Sequence, residues 1–164
     1  MERTAAHKFI SRKTLRLTPF TSINLYEADQ FEIIEWFLRL SLSAGFLSAV
    51  ADRFGLWRKD LSAWGNWDNF IAYTKTLNPL VPQPLISVLG GVATSLEVIF
   101  AIVLLTSYKT AFFARCSGYL LLLFALAMTF SKSIKVPLDY SVFCASAASF
   151  ALGLITTKRR NADQ

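Results

Sequence analysis

Four long apolar stretches dominate the pattern of hydrophobic and polar positions along the chain. They cover residues 31–54, 84–106, 112–131 and 137–156, and each reaches or exceeds the roughly 20 residues that a membrane-spanning helix needs. Because they are apolar on all sides and little polar sequence remains, buried helices of a soluble protein are the less favoured interpretation. The pattern predicts an all-α membrane protein, with four transmembrane helices in one antiparallel bundle spanning residues 31–156.

The connections between these stretches predict how the helices are arranged. Short connections at residues 107–111 and 132–136 make the helices on either side antiparallel neighbours. The first connection, residues 55–83, is much longer. It carries apolar and aromatic residues at i, i+3, i+4 and i+7, namely Trp67, Phe70, Ile71, Thr74 and Leu77. This spacing predicts a short amphipathic helix on the outer membrane surface, ended by Asn78-Pro79.

The aromatic residues of this first loop have two interpretations. They either anchor the loop in the membrane interface or form a lid over a cavity. The residues in question are Trp64, Trp67, Phe70 and Tyr73. The sequence alone leaves both interpretations open.

Positive charge sets the expected orientation. The net charge is +6, and ten of the 17 Lys and Arg residues fall on the side of the two termini. Six fall on the other side, and Arg39 lies within the first stretch. The positive-inside rule then places both termini in the cytoplasm of an inner (plasma) membrane protein, with residues 1–30 and 157–164 as basic cytoplasmic segments. The same bias explains the net charge without a nucleic-acid partner, because no soluble basic module is present.

Several classes of chemistry lack the residues they need. Cys116 and Cys144 lie in different apolar stretches and form no CxxC motif, and His7 is the only histidine. A dithiol redox centre, a histidine-based metal site and a Ser-His-Asp set are therefore not expected. We predict no catalytic residue and no intrinsic cofactor. A quinone is the one candidate for a bound redox molecule. Whether the protein is an enzyme stays open.

One acid and one base lie deep in the predicted membrane region. Arg39 is about 12 Å from the cytoplasmic start of the first stretch, and Glu97 is about 13 Å from the cytoplasmic end of the second. Ionisable groups at such depth usually face a partner, a cavity or a ligand. The matching depths predict a buried Arg39–Glu97 ion pair. The alternative is that Arg39 extends outward to the interface while Glu97 is protonated.

A second group of polar residues is expected at the outer end of the bundle. Asp52 projects to the same face as Ser41 and Gly45, so it is predicted to look into the bundle. Together with residues at the ends of the third and fourth stretches it would form a polar mouth, comprising Asp52, Lys132, Asp139 and Tyr140. For Asp139, capping of a helix N-terminus is an equally good explanation.

The chain resembles the DoxX family over residues 31–156. The segments that carry the resemblance are RLSLSAGFLSAVADRFGLW from Arg39, WGNWDNFIAYTKTLNPLVP, TSLEVIFAIVLL and KVPLDYSVF. Arg39 and Glu97 match a basic residue in the first helix and a glutamate in the second helix of that family. The last segment is similar to one branch of the family, which draws attention to Lys135, Asp139 and Tyr140.

The resemblance implies a four-helix membrane subunit that supports a quinone- or thiol-linked oxidoreductase system and is not catalytic alone. A redox-enzyme subunit is then the implied partner besides the lipid bilayer, and a homo-oligomer stays open. The alternative function is a binder of a small lipid or quinone, or an assembly factor for another membrane protein. Because the chain lacks a cysteine pair, the resemblance gives no intrinsic dithiol chemistry.

Overall fold

The computed structural model describes the backbone of residues 19–106 and 108–162, and the side chains of residues 30–106 and 108–161. Within these ranges the fold is helical, without strands. The six helices are α1 (Pro19–Arg53), α2 (Trp67–Leu77), α3 (Gln83–Leu105), α4 (Thr110–Ser131), α5 (Lys135–Asp139) and α6 (Val142–Ala162).

In the part of the chain that the structure describes, three helical segments are long and apolar enough to cross a membrane, which indicates a membrane protein. They are Gln30–Arg53, Gln83–Leu105 and Thr110–Ser131. Each starts and ends within about two residues of an apolar stretch in the sequence. The helix α1 itself begins earlier, at Pro19, where residues 1–30 were expected to form a separate segment. A helix already formed extends at little cost, so its end need not coincide with the end of its apolar part. Residues 1–18 of that segment lie outside the described part of the chain.

The fourth apolar stretch does not form one continuous helix. The short helix α5 ends at Asp139, and the chain turns at Tyr140 and Ser141, where Ser141 takes a left-handed φ of 55°. The helix α6 then starts at Val142, and its last turns carry Lys158, Arg159 and Arg160. The break and the basic end together shorten its apolar part, so α6 is not among the three candidate spans. It includes most of residues 157–164, which were expected to form a tail, and residues 163–164 lie outside the described part.

The amphipathic helix expected in the first loop is present as α2. The Asn66 side chain caps its N-terminus by accepting from the Asn69 amide, at 2.9 Å. Asn78 ends it, directly before Pro79. Phe70 and Thr74 are its buried residues, and α2 packs against α3 and α4. The helix therefore covers one end of the bundle.

Four helices form a ring. In the described part of the chain, α1 packs closely against α3 and α6, and α4 packs closely against α3 and α6, whereas the backbones of α1 and α4 do not approach each other closely. The tightest pair is α4 with α6, where Phe150 packs over Gly118 and Ser146 Oγ donates to the Gly118 carbonyl at 2.8 Å. Small residues allow this close approach.

The apolar core lies toward the end of the ring where α3 turns into α4. It contains Leu42 and Phe46 from α1, with Phe100, Ala101 and Leu104 from α3, and it is completed by Ala114 and Leu152. Toward the other end, where α2 lies, the ring is not filled in this way. The space left between α1 and α4 forms the site described next.

Candidate functional site

A cavity of about 910 Å³ occupies the half of the ring that α2 covers. We call it the α2 cavity. Its wall comes from α1, α2, α3, α4 and α6, and along α1 it runs from Ser41 to Arg53, a helical rise of about 18 Å. Its volume is at the upper end of the range of small-molecule sites. Leu123 and Phe130 in the wall remain more than 60% exposed, so the cavity is open to the outside.

Three small residues on one face of α1 line the cavity, namely Ser41, Gly45 and Ala49. Their spacing of four residues would also suit close packing of two helices. Gly45, however, has no atom within 4 Å of the position that a Cβ would occupy. On α1 the small residues therefore leave space open.

A buried ion pair closes the α2 end of the cavity wall. Arg53, at the end of α1, donates to both carboxylate oxygens of Glu97 on α3, with one Nη2–Oε1 distance of 2.8 Å. The same guanidinium donates to Thr94 Oγ1 at 2.7 Å and lies 4.1 Å from the centre of the Phe70 ring. The two charged residues are only 3% and 2% exposed. Two parallel hydrogen bonds fix the geometry of the pair as well as its charge.

The predicted Arg39–Glu97 pair is wrong, because Arg53 takes Glu97. The error comes from aligning the start of the first apolar stretch with the end of α3. In the structure Arg39 donates to the Thr106 carbonyl at 3.0 Å, so it lies at the level of the end of α3. Helical side chains lean toward the N-terminus of their helix, and the helices are antiparallel. Arg53 and Glu97 therefore lean toward each other and meet.

The acid that does pair with Arg39 is Glu35, one turn earlier on α1. The two form a buried salt bridge, and Arg159 of α6 reaches Glu35 at 3.4 Å and Glu32 at 3.5 Å. This i, i+4 arrangement, with Glu before Arg, is a signal in the sequence that the analysis of apolar stretches missed. The cluster ties α1 to α6 at the end of the ring opposite α2. It lies outside the wall of the α2 cavity.

The aromatic residues of the first loop divide into two groups. Trp64, Phe70 and Tyr73 line the α2 cavity, with the Trp64 and Phe70 rings packed edge to face at 5.4 Å. Trp67 does not line it and instead stacks on Phe54 at 5.8 Å. The loop thus combines a cover over the cavity with an aromatic contact at the end of α1.

Gly90 on α3 allows α2 to lie this close. A Cβ at Gly90 would be 2.6 Å from Ile71 Cδ1 and 3.1 Å from Phe70 Cε1, whereas one at Gly91 would meet nothing within 4 Å. We expect Gly90→Ala to displace α2, at a cost of about 1–3 kcal/mol, because overpacking forces the neighbours to shift. The matched Gly91→Ala variant should be neutral or slightly stabilising. Limited proteolysis of residues 55–82 reports the displacement, and equal protection of both variants would contradict it.

The predicted polar mouth does not form as a single cluster. Asp52 is buried, but its carboxylate accepts hydrogen bonds from Ser62 Oγ and from the amides of Ala63 and Trp64, both at 3.0 Å. It therefore fixes the first loop and does not face the space between the helices. A helix-facing projection could not reveal this, because the loop that folds back onto Asp52 lies outside the helical pattern.

The other three residues of the predicted mouth are exposed. Lys135 pairs with Asp139 across one turn of α5, and Lys132 follows the end of α4 without lining the cavity. Only Tyr140 lines the α2 cavity. Burial, together with the neighbouring Tyr140, raises the pKa of Tyr73 on α2 above its ordinary value. Both phenols belong to the wall of the α2 cavity.

These features define a helical membrane protein with a large, mainly apolar internal cavity and a neutralised charge pair in its wall. Cys116 and Cys144 are both free thiols. Comparison with protein-family models, with curated proteins and with solved structures gives no match for this chain. The cavity is therefore the feature of this protein from which a function can be inferred.

Proposed function

We propose that this protein binds one lipid-like molecule in the α2 cavity, within a bundle of four membrane-spanning helices. The observation that carries the proposal is the cavity itself. It is large and elongated, and its wall is mostly Leu, Phe, Ala, Val and Met side chains. An apolar chain transferred into such a wall gains about 25 cal/mol for each Å² removed from water, and a bilayer supplies such chains at high concentration.

The placement of α6 supports a fourth span. It packs antiparallel to α4, so that Phe150 contacts Gly118 while Gly153, further along α6, lies against Arg115 and Ala111, nearer the start of α4. A helix that follows a membrane-spanning partner in this way crosses the same layer. With four spans both termini lie on one side, and the excess of Lys and Arg there favours the cytoplasmic side of the plasma membrane.

Filling the cavity should abolish binding without damage to the fold. Gly45→Leu places a side chain in open space within the cavity, and we expect at least a tenfold loss of retained lipid, because the wall offers no second site of this size. Native mass spectrometry of protein released from nanodiscs measures the retained mass. Gly91→Leu is the matched control, because Gly91 also has open space around it but does not line the cavity.

The two possible failures of this experiment are distinct. Loss of lipid from both variants would indicate a general effect of Leu in a helix. Full retention by Gly45→Leu would show that the bound lipid sits elsewhere and would overturn the proposal.

A second candidate is the redox subunit that the resemblance to the DoxX family implies. The cavity is compatible with this second candidate because a lipid quinone has a long apolar chain and an uncharged head, and both suit this wall. Arg53, Glu97 and the phenols of Tyr73 and Tyr140 are the polar groups that would surround such a head. Affinity capture from native membranes separates the candidates, because a subunit brings an oxidoreductase partner with it and a lipid binder does not.

A further inference from the structure

We propose that the ligand of the α2 cavity is an uncharged lipid with a hydroxyl or carbonyl head, held at the edge of the cavity by Tyr73 and Tyr140. This rests on the proposed function and names the class of molecule bound. Three features of the cavity support it: the charge of the wall, the hydrogen-bonding capacity of the two phenols and the positions of the other charged groups.

The wall has no net charge to offer a ligand. Among the described residues that line it, Arg53 and Glu97 are the only charged ones, and each has the other as its counterion. A carboxylate, phosphate or ammonium head brought into this wall would lose its water without gaining a counterion, which costs far more than burying a neutral head. Charged lipids are therefore disfavoured within the cavity.

Two phenol side chains line the edge of the cavity. Tyr73 projects from α2, and Tyr140 lies at the turn between α5 and α6. In the described part of the chain neither hydroxyl has a hydrogen-bond partner, whereas the nearby Asn78 amide and Thr74 hydroxyl bond to the backbone of α2. A phenol can donate and accept, so the pair matches the hydroxyl of an alcohol or the oxygen of a carbonyl.

The charged side chains near this edge do not alter the argument. Lys135 and Asp139 are paired with each other on the exposed side of α5, and Lys75 donates to the Val81 carbonyl. None of these three residues lines the cavity, and neither does Lys132. A ligand with its head at Tyr73 and Tyr140 can place its chain along the apolar wall toward Ser41. The bound ligand is thus oriented with its polar head at the α2 end of the cavity and its apolar tail near the core.

The test uses full-length protein in nanodiscs and four probes with similar chains. These are octadecanol, stearate, octadecylamine and octadecane, each scored by competition against radiolabelled octadecanol. We expect octadecanol to bind at least tenfold more tightly than stearate or octadecylamine. We also expect the Tyr73→Phe/Tyr140→Phe double variant to weaken octadecanol binding about tenfold, the effect of losing one or two ordinary hydrogen bonds, and to leave octadecane unchanged.

Tyr119→Phe is the matched control, because Tyr119 lies on α4 against Phe150 and does not line the cavity. Equal binding of all four probes, or octadecanol binding that survives loss of both phenols, would overturn the inference while the proposed function stands. Failure of every probe, octadecane included, would instead overturn the proposed function.

Discussion

Replacement of Arg53 by Met is expected to lower the free energy of unfolding by about 3–5 kcal/mol, because it leaves the Glu97 carboxylate buried without its cation. The loss should be visible as a shift in SDS-induced unfolding in mixed micelles, followed by circular dichroism. Adding Glu97→Gln to Arg53→Met should recover much of the loss, because the neutral amide no longer requires a counterion.

A double-mutant cycle shows which arginine is coupled to Glu97. We expect strong coupling between Arg53 and Glu97. For Arg39 and Glu97 we expect additivity to within about 0.5 kcal/mol, because Arg39 and Glu97 belong to separate hydrogen-bond networks. The reverse result, with coupling to Arg39 only, would restore the pair expected from sequence depth and contradict the structure.

Asp52→Ala should produce the second large effect. It removes the acceptor of three hydrogen bonds that hold residues 62–64 against the end of α1, and hydrogen bonds to charged groups contribute about 1.5–3 kcal/mol each without adding fully. We expect a loss of about 3 kcal/mol and faster proteolysis of the first loop. The measurement is unfolding in mixed micelles combined with a protease time course.

Asp60→Ala is the control for this prediction. Asp60 lies in the same loop, and its salt bridge with Arg58 is largely exposed to solvent. Surface pairs of this kind contribute between about 0 and 1 kcal/mol. If Asp60→Ala loosens the loop as much as Asp52→Ala, the carboxylate of Asp52 is not what holds the loop.

Hydropathy predicted the positions of α3 and α4 closely, because a membrane helix is apolar along its whole length. The amphipathic period also placed α2, including its end at Asn78. The start of α1 at Pro19 was missed, because residues 19–29 are not apolar and a helix does not need apolar residues to continue. The break before α6 was missed because Ser141, which takes the left-handed conformation, is not a residue that marks such a turn.

The site was harder to predict than the fold. Depth counting assumed that Phe31 and Thr106 lie at the same level. In the structure Arg39 lies at the level of Thr106, and this offset moved the predicted partner of Glu97 from Arg53 to Arg39. Arg39 and Arg53 both reach α3 from α1. The cavity itself could not be predicted, because the small residues of α1 suit tight packing and open space equally well.

The central claim is that an apolar chain occupies the space between α1 and α4. The most direct measurement is quenching of Trp64 fluorescence by dibrominated octadecanol in nanodiscs, using protein in which Trp36, Trp57 and Trp67 are replaced by Phe. Trp64 lines the cavity beside Tyr73, so a bound molecule that carries its two bromines next to the hydroxyl end brings them close to the Trp64 ring. We expect the quenching to saturate as brominated octadecanol is added. It should persist in the Gly91→Leu variant and disappear in the Gly45→Leu variant. Quenching that is unsaturable, or equal in both variants, would mean that the chain contacts Trp64 only from the surrounding bilayer and would contradict the account.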